Sequence, residues 1–95
     1  MGTNMEYIKL FWTHNLPEEP TIIFYEVNIE KERLAERSID MFRDGSTQNI
    51  WDPYADVIEI VAIPTVEAFN TDAYGKEFHA CLITKEEFER IWNTK

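Results

Sequence analysis

Residues 6–13 alternate between apolar and mixed positions. Ile8, Leu10 and Trp12 fall on one side of an extended chain, and Tyr7, Lys9, Phe11 and Thr13 on the other. That period of two is the signature of a strand. Asn15-Leu16-Pro17-Glu18-Glu19-Pro20 breaks the pattern with two prolines and two charges, which reads as a loop. From Thr21 to Ile29 the chain is β-branched and aromatic. Ile23, Tyr25, Val27 and Ile29 share one face, and Ile22 and Phe24 the other. A strand covered on both faces over its first half is predicted. Glu30 to Arg37 has helical composition, but Ile39, Met41 and Arg43 then alternate with Ser38, Asp40 and Phe42. The Arg43-Asp44-Gly45-Ser46 signal follows, and Asp-Gly supplies the positive φ of a tight turn. These features favour a turn near 30–32, a strand over 33–43 and a returning strand over 47–51.

Further on, Val57–Ile63 reads as a strand ended by Pro64. Thr65 can cap a short helix over 66–70 with Glu67 in its first turn. Phe78–Ile83 is extended again. Thr84-Lys85-Glu86-Glu87 forms a capping box, with Ile83 and Phe88 placed as a hydrophobic staple. Phe88, Ile91 and Trp92 line one face of the helix that follows. The fold expected is α+β: an antiparallel, meander-like sheet of four to six strands, with a C-terminal amphipathic helix packed on one face. The predicted core is Ile8, Leu10, Trp12, Ile23, Tyr25, Val27, Ile39, Met41, Ile58, Ile60, Leu82, Phe88, Ile91 and Trp92.

Composition narrows the class. With 95 residues the chain holds one domain, read as 5–95 behind a detachable leader of Met1 to Asn4. A hydrophobic share of 44% excludes disorder. Cys81 is the only cysteine, so no intramolecular disulfide forms, and a small domain without one suits a reducing compartment such as the cytoplasm. The first residues show no basic stretch followed by an apolar one, so no cleaved signal is expected, and the longest apolar stretch, Val57 to Ile63, is interrupted by Glu59 and far too short to span a bilayer. The formal net charge is -9. Such acidity argues against nucleic-acid binding and against docking on an anionic membrane.

Candidate chemistry is sparse. His79-Ala80-Cys81 would set an imidazole and a thiol on one strand face, half of a zinc site that no second ligand pair completes. Cys81 with His79 or His14 could pair nucleophile and base, but no glycine-rich oxyanion turn accompanies them. Neither a P-loop, a G-x-G-x-x-G nor a G-x-S-x-G motif is present. The expectation is a binding protein, not an enzyme, with no cofactor and no metal.

Charge is unevenly distributed. Residues 44–75 contain six acids and no base. The carboxylates Asp44, Asp52, Asp56, Glu59, Glu67 and Asp72 lie there among aromatic residues that include Trp51 and Tyr54. Anions steer a basic partner and aromatic side chains anchor it. The candidate partner-binding residues are therefore Asp44, Trp51, Asp52, Tyr54, Asp56, Glu59, Glu67 and Asp72. The simpler reading makes these acids solubilising only.

From Met5 onward the chain resembles a family of small uncharacterised bacterial proteins, a domain of unknown function of about this length. The likeness is carried by Met5-Glu6-Tyr7-Ile8-Lys9, Trp12, His14, Pro17-Glu18-Glu19-Pro20 and Tyr25-Glu26. Phe42-Arg43-Asp44-Gly45, Ile63-Pro64 and Glu86-Glu87-Phe88-Glu89-Arg90-Ile91-Trp92 extend it. It implies the same mixed strand-and-helix fold and no known activity. In size, acidity and lack of catalytic motif the chain is also similar to bacterial immunity proteins, which bind and neutralise toxin domains, often nucleases. That likeness implies a basic protein partner, a cognate toxin domain, and leaves the oligomeric state open. Two alternatives come from other classes: an intracellular accessory or regulatory domain, and a small metal-dependent enzyme using His79, Cys81 and nearby carboxylates.

Overall fold

Tyr7 and Ile8 point to opposite sides of one strand, and both are buried. The sheet must therefore be covered on both faces. The computed structural model describes residues 4–54 and 60–94. Its strands are β1 (Met5–Trp12), β2 (Ile22–Asn28), β3 (Leu34–Met41), β4 (Thr47–Ile50) and β5 (Phe78–Ile83). The helices are α1 (Val66–Phe69) and α2 (Lys85–Trp92), and a 3-10 turn at Ile29–Lys31 joins β2 to β3. The sheet is antiparallel and runs β4-β3-β2-β1-β5.

Strands β1 to β4 form the expected meander. Gly45, at φ 87°, makes the β3–β4 turn possible, and Phe42 N–H donates to Ser46 C=O at 2.9 Å to close it. Strand β5 departs from the meander by joining the far side of β1. The connection from β4 must therefore cross the sheet. It brings Ile63, Val66 and Phe69 onto a face made by Ile8, Leu10, Val27 and Ala80. The chain then turns back, and α2 lays Phe88 and Trp92 on the opposite face against Tyr7, Phe24 and Ile39. Helix α2 has eight residues and would not persist alone in water. Burying Phe88 and Trp92 contributes roughly 1.5–3 kcal/mol for each such side chain, which holds it in place. Thr84 Oγ1 accepts from the Glu87 N–H at 3.1 Å, as the capping pattern predicts.

Several expectations need correction. Residues 60–63 form no strand, and Val57 to Glu59 lie outside the described residues. Ile63 N–H donates to Arg33 C=O at 2.8 Å, and the Arg33 guanidinium donates to the carbonyls of Ile63 and Pro64 at 2.9 and 3.3 Å. One side chain thus satisfies backbone groups that a strand would satisfy with a ladder. Ile60 and Leu82, expected in the core, are each 60% exposed. Leu82 lies beyond the end of β5 that the crossing segment covers, which is the Phe78 and Ala80 end. Ile58 lies outside the described residues. Tyr7, Phe24, Ala35, Phe69 and Ala80 are also buried, Tyr7 and Phe24 beneath α2 and Phe69 and Ala80 where the crossing segment meets β1 and β5.

Candidate functional site

Among the described residues, three clusters of polar side chains are spent on internal contacts. Under α2, Arg37 Nε and Nη2 donate to Glu26 Oε1 and Oε2, each at 2.7 Å. Tyr7 donates its hydroxyl to Glu26 Oε2 at 3.0 Å, and Arg37 also grips Glu89 on α2. The guanidinium lies over the rings of Phe88 and Trp92, 5.0 and 4.7 Å from their centres, within cation–π range. Burial pushes the Glu26 carboxyl up, but the hydrogen bonds from Arg37 and then Tyr7 outweigh it and hold it below the usual range. The Tyr7 phenol is pushed up to about 12, by burial first and then by its hydrogen bond to Glu26. A carboxylate locked ionised and a phenol locked neutral cannot exchange protons near pH 7. This cluster fastens α2 to the sheet.

Two further clasps fix the crossing segment. Glu32 and Arg33 both have left-handed backbone, φ 58° and 59°, uncommon for residues with a Cβ. That conformation delivers the Arg33 side chain to Glu6 Oε1, at 2.7 Å, as well as to the carbonyls of Ile63 and Pro64. Tyr54 OH accepts from the Ala35 N–H and donates to Val61 C=O, both at 3.1 Å. A bulge at Glu36, where the register shifts between Glu26–Arg37 and Val27–Ala35, sets up this contact.

The candidate partner-binding residues do not gather into one patch among the described residues. Asp44 is exposed in the β3–β4 turn, where Ser46 donates its hydroxyl and its N–H to Asp44 Oδ1 at 2.7 and 2.9 Å. Those bonds hold its carboxyl below the usual range, so it stays charged. Trp51 and Asp52 follow β4 directly and are exposed. Trp51 is 71% exposed and meets Trp92 edge-on, with ring centres 4.8 Å apart. Asp44, Trp51 and Asp52 therefore frame one edge of the sheet. Tyr54 is half-buried and serves the clasp just described. Glu67 and Asp72, both exposed, belong to α1 and the turn after it. Helix α1 packs on β5, the opposite edge, four strand spacings or about 19 Å from β4. Asp56 and Glu59 lie outside the described residues.

His14 and the pair His79 and Cys81 remain. Leu16 N–H donates to His14 Nδ1 at 2.9 Å, so the proton sits on Nε2, which donates to Pro20 C=O at 2.8 Å. His14 thus pins a loop. His79 and Cys81 do share a face of β5, and the described residues contain no group of three or more His, Cys, Asp or Glu placed to hold a metal.

Sequence reasoning missed an apolar groove. On the crossing-segment face, a cavity of about 410 Å³ is walled by Leu10, Trp12, Ile23, Phe69 and Phe78, with Tyr74 and Val61 exposed at its rim. A second recess of about 300 Å³ shares Ile23, Tyr25 and Val61 with it and contains Asp40. Burial pushes the Asp40 carboxyl up, with Glu19 adding to the effect. No local signal announces this groove, since its walls come from four separate stretches of chain. Among the described residues no helix is long and apolar enough to cross a membrane.

Over residues 6–95 the sequence matches the model of a family described as a domain of unknown function (DUF6881), and the chain belongs to that family. No curated protein and no solved structure matches it.

Proposed function

We propose that this chain is a protein-binding domain that grips a basic partner, and that the partner is a toxin domain which it neutralises in the cytoplasm. The observation that carries the reading is Trp51, 71% exposed beside the exposed Asp52 at one end of the edge strand β4, with the exposed Asp44 in the turn at its other end. A large aromatic side chain left in water is costly to a monomer and typical of an interface anchor. The cation nearest Asp44 in sequence is turned away, for Arg43 Nη2 donates to His14 C=O at 2.7 Å. Of the six acids in residues 44–75, Asp44 and Asp52 lie on this side, and a positively charged surface would be drawn to them and oriented by them. The sole cysteine, Cys81, fits a reducing compartment.

Co-expression with the product of the neighbouring gene tests this. The expected result is protection of the cell and a complex with a basic domain, in which Trp51→Ala weakens binding by about 30-fold or more, the scale of an interface hot spot. A neighbouring product that is acidic, or binding unaffected by Trp51→Ala and by lysine at Asp44 and Asp52 together, would overturn the proposal.

A further inference from the structure

The two edges of the sheet are finished differently. In an antiparallel pair, successive residues alternate between bonding the neighbour and facing away. Thr13 N–H donates to Glu77 C=O at 2.9 Å, which sets the phase of β5, so Phe78, Ala80 and Leu82 face outward. Ala80 is stoppered by the Asn70 side chain, which accepts from its N–H at 2.7 Å and donates to its C=O at 2.9 Å. Phe78 N–H is taken by Gly75 C=O at 3.3 Å. This is how natural sheets block unwanted strand pairing.

Among the described residues strand β4 has no such stopper. The Phe42–Ser46 bond sets its phase, so Gln48 and Ile50 bond β3 opposite Asp40 and Ser38. Thr47 and Asn49 then turn their N–H and C=O groups outward. Among the described residues no other backbone group bonds them. The strand reads Thr-Gln-Asn-Ile, with none of the Lys or Pro that usually guards an edge. Trp51 stands at its end, and Asp44 and Asp52 flank it.

We infer that the free edge of β4 receives an extended segment of the basic partner as a sixth strand, with Lys or Arg side chains beside Asp44 and Asp52 and an apolar side chain against Trp51. The inference rests on the basic-partner reading above and adds the mode of docking. Charge decides the occupant. If β4 paired with β4 of a second copy, Thr47 aligned with Asn49 of that copy, each Asp44 would approach the Asp52 of the other. Like charges brought together disfavour that pairing, whereas a basic strand makes both contacts attractive.

The full chain, isotopically labelled, is titrated with a short synthetic peptide alternating Lys and Val, with a Glu and Val peptide as control. The amide signals of Thr47 and Asn49 should shift, as should the Trp51 indole, and exchange of those two amides should slow by on the order of tenfold or more at saturation. Thr47→Pro removes an outward N–H and no ladder bond, so it should fold and lose binding. If that variant fails to fold, exchange in the unaltered chain decides. Shifts confined to the Trp12 and Tyr74 groove, equal binding of the Glu peptide, or protection that appears with protein concentration alone would each overturn the inference. The two readings separate under lysine substitution at Asp44 and Asp52. Weakened binding without protection of Thr47 and Asn49 keeps the basic partner and removes the edge. Undiminished protection removes the basic partner, and with it this choice of occupant.

Discussion

Replacing Arg37 with Met keeps most of the apolar stem that covers Phe88 and Trp92 and removes the charge. Glu26 would then sit beneath α2 with only the Tyr7 hydroxyl as a donor among the partners described above. Breaking one partner from a buried pair costs about 3–5 kcal/mol. The side chains of Arg37 and Glu26 are 14% and 10% exposed, and that of Glu89 is 34% exposed, so the lower end applies, about 3 kcal/mol. With a urea dependence of about 1–1.5 kcal/mol per molar for a chain this size, the unfolding midpoint at pH 7 should fall by about 2–3 M. Tryptophan fluorescence follows the transition.

The pH dependence isolates the cause. In the parent, Glu26 is held below its ordinary 4.5, so its stabilisation is present above 4.5 and lost as pH falls through the lower folded value. In Arg37→Met, burial is no longer outweighed, and the carboxyl protonates readily. The gap between the two proteins should be widest at neutral pH and narrow below 4.5. A second substitution, Glu26→Gln, should restore part of the lost stability at pH 7 because it removes the stranded charge. A midpoint shift under about 0.5 M, or an equal shift in acid and at neutrality, would refute the ion-cluster account.

Alkaline titration reports on the buried phenols. Tyr7 and Tyr25 are pushed from 10.0 up to about 12, by burial first, then by the Glu26 hydrogen bond for Tyr7 and the Asp40 charge for Tyr25. Stability should be full below pH 10 and decline between pH 10 and 12, with Tyr7 and Tyr25 ionising late by ultraviolet absorbance; ionisation of both near pH 10 with the fold intact would contradict this. Asn70→Ala should cost about 1–2 kcal/mol and make self-association more concentration-dependent, seen by sedimentation. A variant equally stable and equally monomeric would show that the β5 stopper does nothing. Nitrogen NMR of His14 should show the proton on Nε2 at neutral pH, and a proton on Nδ1 instead would contradict the loop geometry.

Local signals were legible where one stretch of chain suffices. Asp44-Gly45 announced the hairpin, and Thr84 to Glu87 with the Phe88, Ile91 and Trp92 stripe announced α2. Distant pairings were not. Arg37 and Glu89 are 52 residues apart, and Arg33 and Pro64 are 31 apart, so no spacing rule links them. Alternation placed Tyr7 opposite Ile8 but could not say that both sides would be covered, because the second layer is the crossing segment. The apolar run near Ile60 looked like a strand on composition, yet its last residue is held by Arg33. The surface was partly legible. Charge counting singled out Asp44 and Asp52 with Trp51, but not that these flank an edge while Glu67 and Asp72 lie on the other side. Only the strand order reveals that division.

The central claim is that the β4 side of the sheet attracts and docks a basic partner. The most direct measurement is the association rate constant with that partner across a range of salt concentrations, for the unaltered chain and for Asp44→Lys with Asp52→Lys. The unaltered chain should associate fastest at low salt and slow steeply as salt rises. The double variant should start lower and depend on salt far less. Identical association rates and salt slopes for the two proteins would contradict the claim.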